Sequence, residues 1–192
     1  MRILGVDPGS RFVGFGVIEI EGHTYRCLDC GVLRAIHLKH LDEKLLHIFQ
    51  GLLELIRKHK PDAIAIEEVF FGKKKNPRGI LLLGQARGAA IVAAAAEKTP
   101  VYEYTASRIK RAVGAGGGGS KGAVERMVRM LLELPEKQMR ADAYDGLAIA
   151  LCHAHVVLGM GSHNAKAPMV KAAASPFAER LRRSYVAPEE AK

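Results

Sequence analysis

Two short turns near the amino terminus constrain this chain more than any other feature. Apolar, strand-like segments at about residues 2–7, 12–20 and 24–34 are separated only by a turn at Pro8-Gly9 and another at Glu21-Gly22-His23. A parallel neighbour requires a crossover of a dozen or more residues. The three segments are therefore expected to form an antiparallel meander. The next stretch has a different period. From Leu41 to Lys58, residues Leu45, Leu46, Ile48, Phe49, Leu52, Leu53 and Ile56 recur at helical spacing, and Pro61 marks the end. Asp62 to Ile66 reads as a short buried strand ending in Glu67-Glu68, a helix runs from about Arg78 to Lys98, and Pro100 to Tyr104 is a further strand. Strand-helix-strand order implies parallel pairing, so the sheet is mixed. A glycine-rich stretch, Gly114 to Gly122, leads into helices over Val124 to Leu132 and Ala141 to about Val157. Helices on both faces of the sheet make a three-layer α/β domain.

The 192 residues fit one domain, on a prior of ~150 residues per domain. A core domain over 1–160 is expected, followed by a basic, disordered tail over 161–192, where Ala, Ser, Pro, Lys and Arg dominate. A hydrophobic share of 48% is ample for a core. No apolar run long enough to span a bilayer is expected, and no secretory leader, since Met1-Arg2 passes directly into the first strand. With 29 basic and 20 acidic residues the net charge is +9. That balance points to a polyanionic partner, nucleic acid being the commonest. Cys27-Leu28-Asp29-Cys30 has a C-x-x-C spacing, but no second pair stands at zinc-finger distance and the segment reads as a strand. Buried free thiols at Cys27, Cys30 and Cys152 in a reduced, cytoplasmic chain are the expectation.

Against this basic background, several acids sit where acids are costly. Asp7 ends the apolar run Ile3-Leu4-Gly5-Val6, just before Pro8-Gly9. It suits a metal ligand on rigid backbone, and equally an Asx-turn cap. Glu67 ends its own strand in the same way, and parallel neighbouring strands would bring it close to Asp7. Strand alternation puts Glu67 and Glu68 on opposite sides, so only one can face Asp7, and periodicity leaves open which. Asp142 and Asp145, spaced i, i+3, share one face of an otherwise apolar helix. Helix capping accounts for such acids singly. Two acids on a buried helix call for a cation, and oxygen-rich sites suit Mg²⁺.

Four segments together resemble the RuvC-type Holliday-junction resolvases: Ile3 to Ser10, Ala65-Ile66-Glu67-Glu68-Val69-Phe70, Leu83-Gly84-Gln85-Ala86-Arg87-Gly88, and Ala141 to Ala150. The similarity keeps order and spacing from about Met1 to Val157. It implies a ribonuclease H-like three-layer fold with a five-stranded mixed sheet flanked by helices. It also implies a homodimer that cuts two symmetric strands of four-way junction DNA in recombination and repair. Metal-activated water would leave 5′-phosphate and 3′-hydroxyl ends. By motif, the catalytic and metal-binding acids are Asp7, Glu67, Asp142 and Asp145, which selects Glu67 over Glu68. The implied cofactor is Mg²⁺, two ions per subunit, with Mn²⁺ as a substitute. The resemblance further implies DNA contacts at Phe70, Lys110 and Lys121, and a branch-migration partner complex of the RuvAB type. Core packing for Phe70 and surface charge for the lysines are the plain alternatives.

The glycine run is longer than the family pattern, and its order Gly119-Ser120-Lys121 is not that of a Walker A loop. His153 and His155 lie two apart on the last helix and are expected to be structural. A sugar-kinase-like phosphotransferase would need a second domain, and an inert junction-binding module would have no need of all four acids.

Overall fold

The computed structural model describes residues 1–69, 77–115, 122–136 and 139–159. Phe70, the lysine run that follows it, residues 116–121 of the glycine-rich stretch with Lys121, and the tail beyond 159 lie outside the described residues.

The amino-terminal meander forms as expected, with β1 (Arg2–Asp7), β2 (Phe12–Glu21) and β3 (Thr24–Arg34) paired antiparallel. A bulge opposite Val17/Ile18 interrupts the β2–β3 register. Helix α1 (Leu41–His59) follows, and its chain leaves through Lys60 in the left-handed region (φ 47°). Then come β4 (Ala63–Glu67), α2 (Pro77–Ala96), β5 (Val101–Tyr104), α3 (Ala106–Ala112), α4 (Ala123–Leu131) and α5 (Ala141–Val157). β4 lies parallel to both β1 and β5, giving a mixed five-stranded sheet in the order β3-β2-β1-β4-β5.

Two cores sandwich the sheet. Leu4, Val6, Ile64 and Ile66 pack with Ile48, Leu52 and Ile56 of α1 and Ala86, Ala90 and Ala93 of α2. Ile3, Ile18, Ala65 and Tyr104 face the other way, onto Leu147, Ala148, Leu151 and Ala154 of α5, with Ile109 of α3 and Val128 of α4. This two-residue alternation along β1 and β4 assigns every strand residue to a face.

Helix α5 is apolar on all sides because it is buried on all sides, and it approaches the sheet at glycines. A methyl group on Gly16 would lie 2.6 Å from the Leu147 main-chain nitrogen, and one on Gly5 2.5 Å from that of Ala150. On the helix, Gly146 lies equally close to the Phe15 backbone. No side chain fits between these elements, so the helix axis lies nearer the sheet than ordinary packing permits.

Three expectations need correction. Helix α3 has no counterpart in the sequence reading; its seven residues are too few to establish a hydrophobic period, and its start rests on Thr105, whose hydroxyl accepts from the Arg108 backbone N–H. Helix α2, expected to be too short an apolar run for a bilayer, is by length and composition apolar enough to cross one, with only 28% of that stretch buried. Its hydropathy comes from Ile80, Leu81, Leu82, Leu83, Ile91 and Val92 together with its alanines, and Arg87 in its middle is ion-paired with Glu103 of β5. The three cysteines are free, but only Cys152 is buried, Cys27 and Cys30 being half-buried.

Candidate active site

Sheet register brings the strand-end acids together. Val6 stands opposite Ile66 in the parallel β1–β4 ladder, so the next pair along is Asp7 and Glu67. Ile3, Gly5 and Asp7 alternate onto the α5 face, as do Ala65 and Glu67, which places both carboxylates on the same side at the same end of the sheet. Glu68 turns to the opposite face, where it borders a cleft beneath α2 with Arg87 and Glu103. The choice that strand alternation left open therefore falls to Glu67.

Helix α5 supplies the other two acids over this end of the sheet. Gly14 pairs with Asp7 in the antiparallel ladder, and the space where a Gly14 side chain would stand is filled by the Asp142 main chain. The first turn of α5 thus lies directly over the strand partner of Asp7. Asp145 follows one turn later. Glu67, Asp145 and Lys110 of α3 line one cleft of about 300 Å³, floored by Ile109 and Ile149.

The electrostatics of this cleft oppose negative charge. Burial raises the Asp145 carboxyl above its ordinary value, the Asp142 charge raises it further, and Lys110 partly offsets both. Carboxylates pressed together at reduced solvation are the donor set that a hard divalent cation satisfies. As placed, however, no three Asp, Glu, His or Cys groups among the described residues stand close enough to hold an ion. The Asp142 carboxylate is instead engaged by Arg140, whose Nε donates to its Oδ2 at 3.1 Å.

Behind the acids lies a buried polar link that sequence reasoning assigned only half of. The Tyr104 ring, in register with Glu67, faces α5, and its hydroxyl is 2.6 Å from His153 Nδ1. Burial pushes the phenol up and the imidazole down to about 4, so a neutral imidazole accepts the bond from a protonated phenol. His155 stacks at a tilt on Tyr25 of β3. Both histidines are structural, as expected, and neither meets an acid of the site.

The family model for the crossover junction endodeoxyribonuclease RuvC matches residues 3–153, from the second residue of β1 to within α5. The chain belongs to the RuvC family. A RuvC of Myxococcus xanthus is 44% identical over 191 residues, covering 98% of this chain and 99% of the relative. A RuvC of Marinobacter nauticus is 50% identical over 154 residues, covering 80% of this chain and 86% of the relative. Among solved structures, T. thermophilus RuvC in complex with a Holliday junction substrate superposes with a TM-score of 0.77 at 32% identity, covering 88% of this chain and 99% of that one. The ribonuclease H-like architecture expected of a RuvC chain is the architecture observed.

Proposed function

We propose that this chain resolves four-way DNA junctions in homologous recombination and repair, by paired symmetric nicks at a divalent-metal site formed by Asp7, Glu67, Asp142 and Asp145. The observation that carries the reading is the convergence of these acids from β1, β4 and α5 on one end of one sheet face, in a chain of net charge +9. Asp7, Glu67 and Asp145 would bind from the sheet side and the cleft, and Asp142 from the first turn of α5. Mg²⁺ is the proposed ion, two per subunit, with Mn²⁺ able to replace it. Held by these acids, such ions would supply charge neutralisation at the phosphodiester and an acidified water, chemistry that would leave 5′-phosphate and 3′-hydroxyl ends.

The chain's own residues have distinct tasks. Glu67 and Asp145 fix one wall of the cleft through a strand end and a buried helix, neither of which can shift without disturbing the core. Lys110 lines the same cleft as Asp145, near enough to act on its charge, and would donate to a phosphate oxygen brought there. Phe70 and Lys121 are proposed DNA contacts on the family match alone.

A homodimer would supply two such sites for two symmetric cuts. Its proposed surface is α2, where Leu81 (68% exposed), Gly84, Gln85, Gly88 and Val92 fall on one stripe. Glycines there leave open space for a second helix to approach. The proposed catalytic domain is residues 1–160, acting in the cytoplasm with a branch-migration complex of the RuvAB type. Incubation with a synthetic four-way junction tests the reading. Paired nicks with Mg²⁺, without ATP and absent on linear duplex, are expected. Binding without nicking in Mg²⁺ or Mn²⁺ would overturn it.

A further inference from the structure

Arg140, the residue before α5, has no part in the function set out above, yet its placement is specific. Its guanidinium lies over the Phe12 ring, 3.9 Å from the centroid. Its Nε donates to Asp142. Its side chain remains half exposed, at 50%, while that of Asp142 is 28% exposed. Phe12 is fixed in turn, since it opens β2 and is paired with Arg34 of β3.

These contacts use one face and one edge of the guanidinium. The Nη1 and Nη2 groups make no hydrogen bond among the described residues, and the side chain that carries them is bonded to Asp142, one of the proposed acids. An exposed ion pair adds little stability, and an exposed cation–π contact adds only about 0.5–1 kcal/mol, so stability alone is a weak reason for so specific a placement. A planar donor fork held in one orientation does suit a phosphate, because Arg binds phosphate bidentately and a pre-positioned side chain loses little freedom on binding. Electrostatics points the same way: the acids repel a DNA backbone that must nonetheless approach them, and a cation at their edge offsets that repulsion.

We propose that Arg140 binds a backbone phosphate of the junction strand entering the acid site, through Nη1 and Nη2, with Phe12 holding the plane of the guanidinium. The inference rests on the four-acid reading of the site.

The test measures binding of a four-way junction in metal-free buffer, where nothing is cut, over a series of KCl concentrations. Each phosphate contact removed lowers the slope of log affinity against log salt by about 0.9. Arg140→Ala should show that loss of slope. Arg140→Lys should keep the slope, since the charge is retained, but bind several-fold more weakly. Phe12→Leu should do the same. A wild-type slope in Arg140→Ala overturns the contact, and so does an effect of that variant confined to Mn²⁺ affinity measured by calorimetry, which would make Arg140 a counter-ion to Asp142 alone. Wild-type affinity in Phe12→Leu overturns the platform. Failure of the underlying site reading appears elsewhere, as Asp142→Asn cutting junctions at the wild-type rate.

Discussion

Glu67 and Glu68 are chemically the same and adjacent in the chain, yet the sheet sends them to opposite faces. Glu67 shares a cleft with Asp145 and Lys110, whereas Glu68 borders the space under α2 beside Arg87. Glu67→Gln is therefore expected to lower junction cleavage by about 100-fold or more, in the range of an electrostatic group acting at the transition state. Glu68→Gln should stay within a few-fold of wild type in the same single-turnover assay. Asp145 allows a second measurement that needs no substrate. Burial and Asp142 raise its carboxyl, so the folded chain holds that proton more tightly than the unfolded chain does. Stability then falls as pH climbs from the ordinary carboxylate value through the raised folded one, and the loss is complete above it. In metal-free buffer at neutral pH, Asp145→Asn should unfold at a higher temperature than wild type, and the difference should vanish in acid below the ordinary carboxylate range. An equal or lower neutral-pH midpoint would contradict the charge crowding. Asp7, Asp142 and Asp145 were legible in the sequence as charges at the end or start of apolar elements, whereas Glu67 was separated from Glu68 only by the family resemblance. Arg140 was not, because a lone basic residue before a helix has no local pattern to mark it, and its meaning depends on Phe12, far away along the chain.

At the scale of elements, the decisive feature is how closely α5 lies against β1 and β2. Gly5, Gly14, Gly16 and Gly146 remove the side chains that would hold these elements apart. The positions of Asp142 and Asp145 over the sheet end are a consequence of that approach. Gly16→Ala would drive a methyl group into the Leu147 main chain, which has no rotamer by which to yield. Overpacking of this kind costs about 1–3 kcal/mol. A lowered unfolding midpoint together with reduced cleavage is expected, because the helix that must shift carries two of the acids; a lowered midpoint with full activity would separate packing from the site. The antiparallel meander, the parallel β4 pairing and the buried final helix were readable from turn lengths and periods. The close approach of α5 was not, since glycines in strands carry no signal of which element will lie over them. Helix α3 was missed for a different reason. It is a capped helix of about two turns, and it brings Lys110 to the cleft.

At the scale of the molecule, an acidic cleft within a basic chain is consistent with DNA held by the surroundings and cut at the centre. The apolar stripe of α2 lies on the opposite face of the sheet from the acids. Under the proposed α2 dimer, Leu81→Arg should sediment as a monomer where the wild-type chain sediments as a dimer, without disturbing the fold, and paired nicking of one junction should fall to single nicks. A variant that remains dimeric would move the interface elsewhere. The most direct test of the whole scheme is Asp7→Asn, since Asp7 sits beside Glu67 in register and opposite Gly14 beneath Asp142. Junction affinity and Mg²⁺-dependent cleavage are measured on the same preparation. Cleavage should be abolished while binding stays near wild type; cleavage near the wild-type rate would place the chemistry somewhere other than these four acids.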